Sequence, residues 1–282
     1  MTLRAVSGVA KGPLIGTIIK PSVGLTPAKT AAQVKQLSDA ITDFIKDDEL
    51  MGNSPQSPLR RACGGSDEGD QDHAQWTGKR VLFAFNLTDN YDNMQRHYDK
   101  VISLGGVAAM ISVNTVGLPT AIKVCGRGEL VIHGHRNGWG QLNRDEWLGM
   151  GFEAYGKLWR LAGVDQIHVN GIDNKFWEAD DDVVASIATC REPLHGLRPI
   201  MPVLSSGQWG GQAFETWRRT QTTDLLYLAG GGIVAHPDGI AGGVAALLQA
   251  WACAEEGMTL EAAAERHDEL RHAVDKFGGK KS

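Results

Sequence analysis

Eight short apolar runs recur along the chain, each continuous and not alternating, and this pattern constrains the fold more than any other feature. They are "LIGTIIKPS" (14–22), "ITDFIKDDE" (41–49), "RVLFAFNLT" (80–88), "AAMISVN" (108–114), "ELVIHGHR" (129–136), "DQIHVNG" (165–171), "RPIMPVLSSG" (198–207) and "LLYLAGGG" (225–232). A strand with one wet face alternates apolar and polar residues, whereas a strand buried on both faces reads as an unbroken apolar run. Stretches with helical spacing lie between them, at 26–40, 90–104, 143–163, 210–221 and 239–257, with a polar C-terminal helix near 259–276. Strand–helix alternation of this kind lays the strands parallel and covers the sheet with helices. The 282 residues therefore predict a single α/β domain, closed as a (β/α)8 TIM barrel, which takes roughly 250 residues. A doubly wound open sheet competes with it, but eight units of this length close more naturally. One segment breaks the rhythm: "RRACGGSDEGDQDHAQ" (60–75) stands where the second barrel helix belongs. Its glycines and acids without an apolar stripe predict a frayed or disordered loop.

Composition excludes several partners. A net charge of −5 gives no support for nucleic acid or an anionic membrane surface. Any anionic ligand must therefore be held by local positive groups. Cys63, Cys125, Cys190 and Cys253 are widely spaced with no CxxC, so neither a zinc site nor a disulfide framework is indicated. With no apolar run long enough for a membrane span and no signal-peptide core in "MTLRAVSGVAKG", a cytoplasmic protein with reduced thiols is expected.

In a barrel, chemistry collects at the C-terminal ends of the strands. Polar residues gather there in this chain: Lys20, the run Lys46-Asp47-Asp48-Glu49, Asn86, His133, His135, Arg136, His168, Asn170, Ser205, Ser206, Gly207 and Gly230-Gly231-Gly232. One such residue at one strand end is usually structural; the same feature at seven ends is hard to assign to chance. The triple glycine exposes backbone N–H groups, and with Ser205 and Gly207 beside it a phosphate contact outweighs a plain flexible turn. For Lys46, Asp48 and Glu49 two readings stand. As an ammonium, Lys46 makes an ion-pair cluster. As a carbamate formed with CO2, it would complete three oxygen ligands suited to Mg2+.

The segments "GTIIKPSVGL", "DFIKDDE", "HGHR", "IHVNGIDNK", "PVLSSGQ" and "LAGGGIVAHP" resemble, in this order, barrel motifs of the RuBisCO large-chain superfamily. The resemblance implies a carbamate on Lys46, with Asp48 and Glu49 completing a Mg2+ site. It implies Lys20 as the proton-abstracting base, tuned by desolvation, and His135 as a second acid/base. Arg136 and His168 are implied as anion clamps. Lys175 is implied as the mobile-loop lysine that faces a carboxylate, with Gly171 giving the loop freedom. Ser205, Gly207, Gly230 and Gly231 are implied as substrate and phosphate contacts. The departures are equally informative. Ser22 stands where carboxylases have a second lysine, "VNGID" replaces their serine-glycine-threonine loop, and Trp139 replaces a further histidine. These features place the chain with RuBisCO-like proteins of the form IV type. The family's N-terminal α/β domain has no counterpart in the sequence, which puts full activity in question; a homodimer is expected. The implied reaction is a Mg2+-dependent decarboxylation or C–C cleavage of a small phosphorylated 3-oxo sugar acid. Enolisation or isomerisation of a methylthio-sugar phosphate is the alternative, and an inactive truncated barrel the third.

Overall fold

A computed structural model describes residues 3–22, 24–40, 42–52, 81–145 and 147–279. Strands β1 (Leu14–Ile18), β2 (Phe44–Lys46), β3 (Leu82–Asn86), β4 (Ala108–Ser112), β5 (Val131–His135), β6 (Gln166–His168), β7 (Met201–Leu204) and β8 (Leu226–Leu228) pair in sequence order. All pairs are parallel, and β1 closes on β8. The expected closed barrel is therefore the fold, and the open sheet is excluded.

Two apolar layers hold it. Leu14, Phe44, Leu82, Ala84, Ala108, Met110, Val131, Val203, Leu226 and Leu228 form one cluster. Because side chains alternate along a strand, these positions point to the barrel axis, and so does Lys46, two residues after Phe44. Leu3 and Val9 join this cluster from the segment preceding β1. Arg4 ties that segment down through the Gly12 and Thr223 carbonyls and Asp224. The second, larger cluster lies between the strands and the surrounding helices, with Ile15, Ile45, Phe85, Ile111, Ile132, Ile167, Leu204 and Tyr227 facing outward. Continuous apolar strands follow directly from having both layers to fill.

Helices Pro27–Asp39, Tyr91–Ser103, Phe152–Leu161, Gly211–Thr220 and Gly239–Glu255 occupy the places that the spacing indicates. Asn90 caps the second of these through a bond from the Asn93 N–H, which satisfies one of the four unpaired donors at a helix start. Of the stretch expected to be helical over 143–163, Asn143 ends a short helix (Gly140–Asn143) and a second helix runs Phe152–Leu161 after the glycine Gly151. The C-terminal helix is two pieces, Leu260–Arg266 and Asp268–Phe277, broken at the extended residue His267. The segment 60–75, expected as a frayed loop in place of the second helix, lies outside the described residues.

Candidate active site

The strands end in a cavity of about 860 Å³ at the C-terminal mouth of the barrel. Of the twelve residues expected to act here, eleven line it: Lys20, Lys46, Glu49, His135, Arg136, His168, Lys175, Ser205, Gly207, Gly230 and Gly231. The twelfth, Asp48, has a fully buried side chain just behind the wall, where Lys20 reaches it.

The β2 end supplies the anionic floor. Lys46 is 2% exposed, with its Nζ donating to the Asp47 carbonyl at 2.9 Å and to Glu49 Oε2 at 3.2 Å, and lying 3.6 Å from Met110 Sδ. Burial lowers its pKa from the ordinary lysine value, against the pull of Glu49 and Asp48. Burial works the other way on Asp47 and pushes it up to about 7 although it accepts the Asn86 N–H. Burial also opposes ionisation of Asp48, but hydrogen bonds from Lys20, the Leu50 N–H and Ser22 outweigh it and hold the carboxyl below its usual value. For Glu49, Lys46 and His135 outweigh the same opposition. Asn86, at the end of β3, donates to the Asp48, Glu49 and Met51 carbonyls. It thereby fixes the turn that presents the two acids, a positioning role absent from the sequence expectations.

Lys20 lies beyond the end of β1, paired with Asp48 and bonded to Ser22 Oγ at 2.9 Å. The desolvation expected of it is not there: its side chain is 47% exposed, because the strand stops at Ile18 and the next residues leave the barrel. The desolvated amine is that of Lys46.

Three histidines meet between β5 and β6. His133 Nε2 is 2.9 Å from His168 Nε2, and His168 Nδ1 is 2.9 Å from Ser205 Oγ. Burial, then neighbouring positive groups, drives His133 and His168 well below the ordinary imidazole value. A neutral His168 ring, expected as an anion clamp, would meet a ligand through a hydrogen bond without a full charge. Burial and the Lys46 charge lower His135 to about 4. Its Nδ1 accepts the Asn137 N–H at 3.2 Å, so the ring proton sits on Nε2, 3.5 Å from Glu49.

Arg136, the other expected anion clamp, is 5% exposed and donates to both oxygens of Glu178, at 3.1 and 2.7 Å. Trp139 Nε1 bonds the same carboxylate at 2.9 Å, and Asn170 completes the set. Nothing local in the sequence marks Glu178, since its partner is 42 residues away. Asn170 (φ 64°) and Ser206 (φ 75°) both adopt left-handed backbone at strand ends and bond each other at 2.6 Å, a conformation that clusters at functional sites. Gly171 has a packing role, not the flexibility expected of it: a Cβ there would lie 2.2 Å from Gln208 Cδ. Lys175 follows, its N–H on the Ser206 carbonyl at 3.2 Å and its Nζ 5.4 Å from the Phe176 ring centre. Among the described residues it has no carboxylate partner. Across the mouth, a Cβ on Gly231 would meet nothing within 4 Å.

Among the described residues, no three His, Cys, Asp or Glu side chains converge to hold a metal by themselves. Asp48 and Glu49 are hard oxygen donors of the kind that Mg2+ takes, with waters and substrate oxygens filling the other positions. Lys46 lies beside them, its buried amine 3.2 Å from Glu49 Oε2, and as a carbamate it would add a third oxygen.

A closed parallel barrel with convergent charged groups at its C-terminal mouth defines a (β/α)8 protein of the enzyme-like kind. The chain belongs to the family of the ribulose bisphosphate carboxylase large chain, catalytic domain, whose sequence model matches residues 2–277. It is 45% identical over 277 residues to the 3-oxo-isoapionate-4-phosphate decarboxylase of Rhizobium etli, covering 97% of this chain and 66% of that protein. It is also 45% identical over 273 residues to the 3-oxo-isoapionate-4-phosphate transcarboxylase/hydrolase of Xanthobacter autotrophicus, covering 96% and 66%. The crystal structure of a rubisco-like protein from Burkholderia fungorum superposes with a TM-score of 0.93 at 43% identity, covering 97% of this chain and 68% of that one. The chain thus spans just under two thirds of the length of these curated relatives.

Proposed function

We propose that this barrel removes the carboxylate of a phosphorylated 3-oxo sugar acid of the 3-oxo-isoapionate 4-phosphate type. One observation carries the reading beyond the names of relatives. A desolvated lysine flanked by two acids forms the cavity floor, and a lysine without a carboxylate partner among the described residues, Lys175, forms part of its wall. The floor suits a ketone oxygen gaining negative charge, and Lys175 suits the carboxylate beside it.

Lys46 as its carbamate, Asp48 and Glu49 would hold Mg2+. Such an ion lowers the cost of negative charge on nearby substrate oxygens. Lys175 pairs with the substrate carboxylate. When the C–C bond breaks, its electron pair stays on the carbon next to the ketone, and CO2 leaves. Lys20, hydrogen-bonded to Ser22 and Asp48, carries the proton that restores that carbon. His135, with its proton on Nε2, donates to the substrate oxygen. Ser205, Gly207, Gly230 and Gly231 contact the phosphorylated end, while Arg136 and His168 bond uncharged oxygens.

A cytoplasmic setting is part of this proposal, since the four cysteines are widely spaced with no CxxC. Among the described residues, no helix is long and apolar enough to cross a membrane. Assembly as a homodimer, which the family resemblance implies, is part of this proposal.

Incubation with 3-oxo-isoapionate 4-phosphate and related phosphorylated oxo acids, with Mg2+ and bicarbonate, tests the reading by following substrate loss by 13C and 31P NMR. Consumption of the 3-oxo acid is expected. Turnover of a methylthio-sugar phosphate in its place would overturn the proposal.

The phosphate contact has its own test. A side chain at Gly231 would project into open cavity without striking the protein. Gly231→Val should therefore weaken binding of an alkyl phosphate by about tenfold or more while leaving Tm nearly unchanged. Equal damage to Tm would mark Gly231 as a structural glycine.

A further inference from the structure

We propose that Glu178 sets the charge preference of the cavity: by neutralising Arg136 it reserves the β5–β6 wall for an uncharged, hydroxylated end of the substrate and turns away a second phosphate. The inference deepens the function proposed above and rests on its single phosphate contact at Gly230 and Gly231.

Arg136 by itself looks like an anion site, since a guanidinium at a cavity wall is well suited to phosphate. Its side chain and that of Glu178 are both 5% exposed and face each other through two hydrogen bonds. Each oxygen of Glu178 accepts two donors: Arg136 and Trp139 on Oε1, Arg136 and Asn170 on Oε2. The carboxylate is thus held on three sides, by residues from the ends of β5 and β6, and Ser206 at the end of β7 locks Asn170 in turn. A phosphate approaching Arg136 would meet the fixed negative charge of Glu178 at the same range. Two of the five guanidinium N–H groups are already spent on it.

Besides Lys20 and Lys46, the cations Lys175, from the loop after β6, and Arg144 line the cavity. His168 bonds His133 and Ser205, and burial keeps its ring neutral. Arg144 is stacked 4.2 Å from the Trp177 ring centre. Apart from Arg144 and from Lys175, which the function proposed above commits to the substrate carboxylate, the wall therefore offers uncharged donors and acceptors, which recognise hydroxyl and carbonyl groups and penalise an anion.

The test compares binding of pentyl phosphate and pentane-1,5-diyl bisphosphate by calorimetry, with no turnover required. In the parent protein the second phosphate should bring no gain in affinity. A gain of about tenfold or more there would overturn the role of Glu178, whether or not any variant folds. In Glu178→Gln, where the Arg136 charge is released, the bisphosphate should gain about tenfold or more over the monophosphate. The same gain should vanish in the double variant Glu178→Gln/Arg136→Met. An unchanged ratio in a folded Glu178→Gln protein would overturn the inference while leaving the phosphate contact standing. If pentyl phosphate fails to bind the parent at all, the Gly230–Gly231 contact is wrong, and the inference falls with it.

Discussion

Replacing Lys46 with alanine or methionine should lower turnover of the 3-oxo acid by at least about 10³-fold and abolish any effect of bicarbonate on Mg2+ binding. Asp48 and Glu49 alone give two carboxylates, and in the protein as described each is already paired with a lysine. An ammonium at Lys46 repels a cation; a carbamate supplies an oxygen and releases one proton when it forms. The sign of the pH dependence follows. Only the unprotonated amine reacts with CO2, and burial lowers the pKa of Lys46 from its ordinary value. Bicarbonate-stimulated Mg2+ affinity should therefore be weak on the acid side, rise through the lowered pKa and level off above it. Lys46→Met guards against misreading a packing defect, since it refills most of the volume next to Met110. Metal titration with and without bicarbonate at several pH values checks both points. Mg2+ affinity in Lys46→Ala equal to the parent's, with no bicarbonate effect in either, would eliminate the carbamate.

The second large effect separates the two cavity lysines. Lys20→Met should slow exchange of the proton beside the ketone by about 10² to 10⁴-fold, the range for loss of a positioned acid or base. Lys175→Met should leave that exchange intact yet stop carboxylate loss, because its amine is placed to meet the carboxylate and not the carbon. Deuterium incorporation into a phosphorylated ketone lacking the carboxylate isolates the first step, and CO2 release reports the second. The roles are wrong if Lys20→Met exchanges at the parent rate or Lys175→Met still releases CO2. A parent that exchanges protons but cleaves no 3-oxo acid would hand the site to an enolase or isomerase.

What could be read from the chain, and what could not, divides along physical lines. Strands buried on both faces announce themselves, and the cluster of Lys46, Asp48 and Glu49 is visible because it concentrates charge where an apolar run ends. Helices Val113–Cys125 and Asp180–Arg191 escape notice. The first holds Gly117 at φ 76° and Pro119, and neither helix gathers its apolar residues into a clear stripe. Strand ends are also overrun. β2 was expected over 41–49 but its ladder stops at Lys46, because Asp48 turns the chain by accepting the Leu50 N–H on its side chain. The pairing of Arg136 with Glu178, and the histidine contact across β5 and β6, exist only once the barrel closes. No local pattern encodes them. The same closure buries His168, which disfavours its charged form, and brings Arg136 onto a carboxylate carried in on the next loop.

The fate of the substrate carboxyl carbon tests the proposed reaction most directly, since decarboxylation and carboxyl transfer differ only in where that carbon goes. With 3-oxo-isoapionate 4-phosphate labelled with 13C at the carboxylate, the parent protein, Mg2+ and bicarbonate, 13C NMR should show the label appearing as CO2 and bicarbonate. Its amount should match the phosphorylated ketone formed, and Lys175→Met should produce neither. Label that stays in the substrate, or reappears in a new organic acid, would contradict decarboxylation at this site.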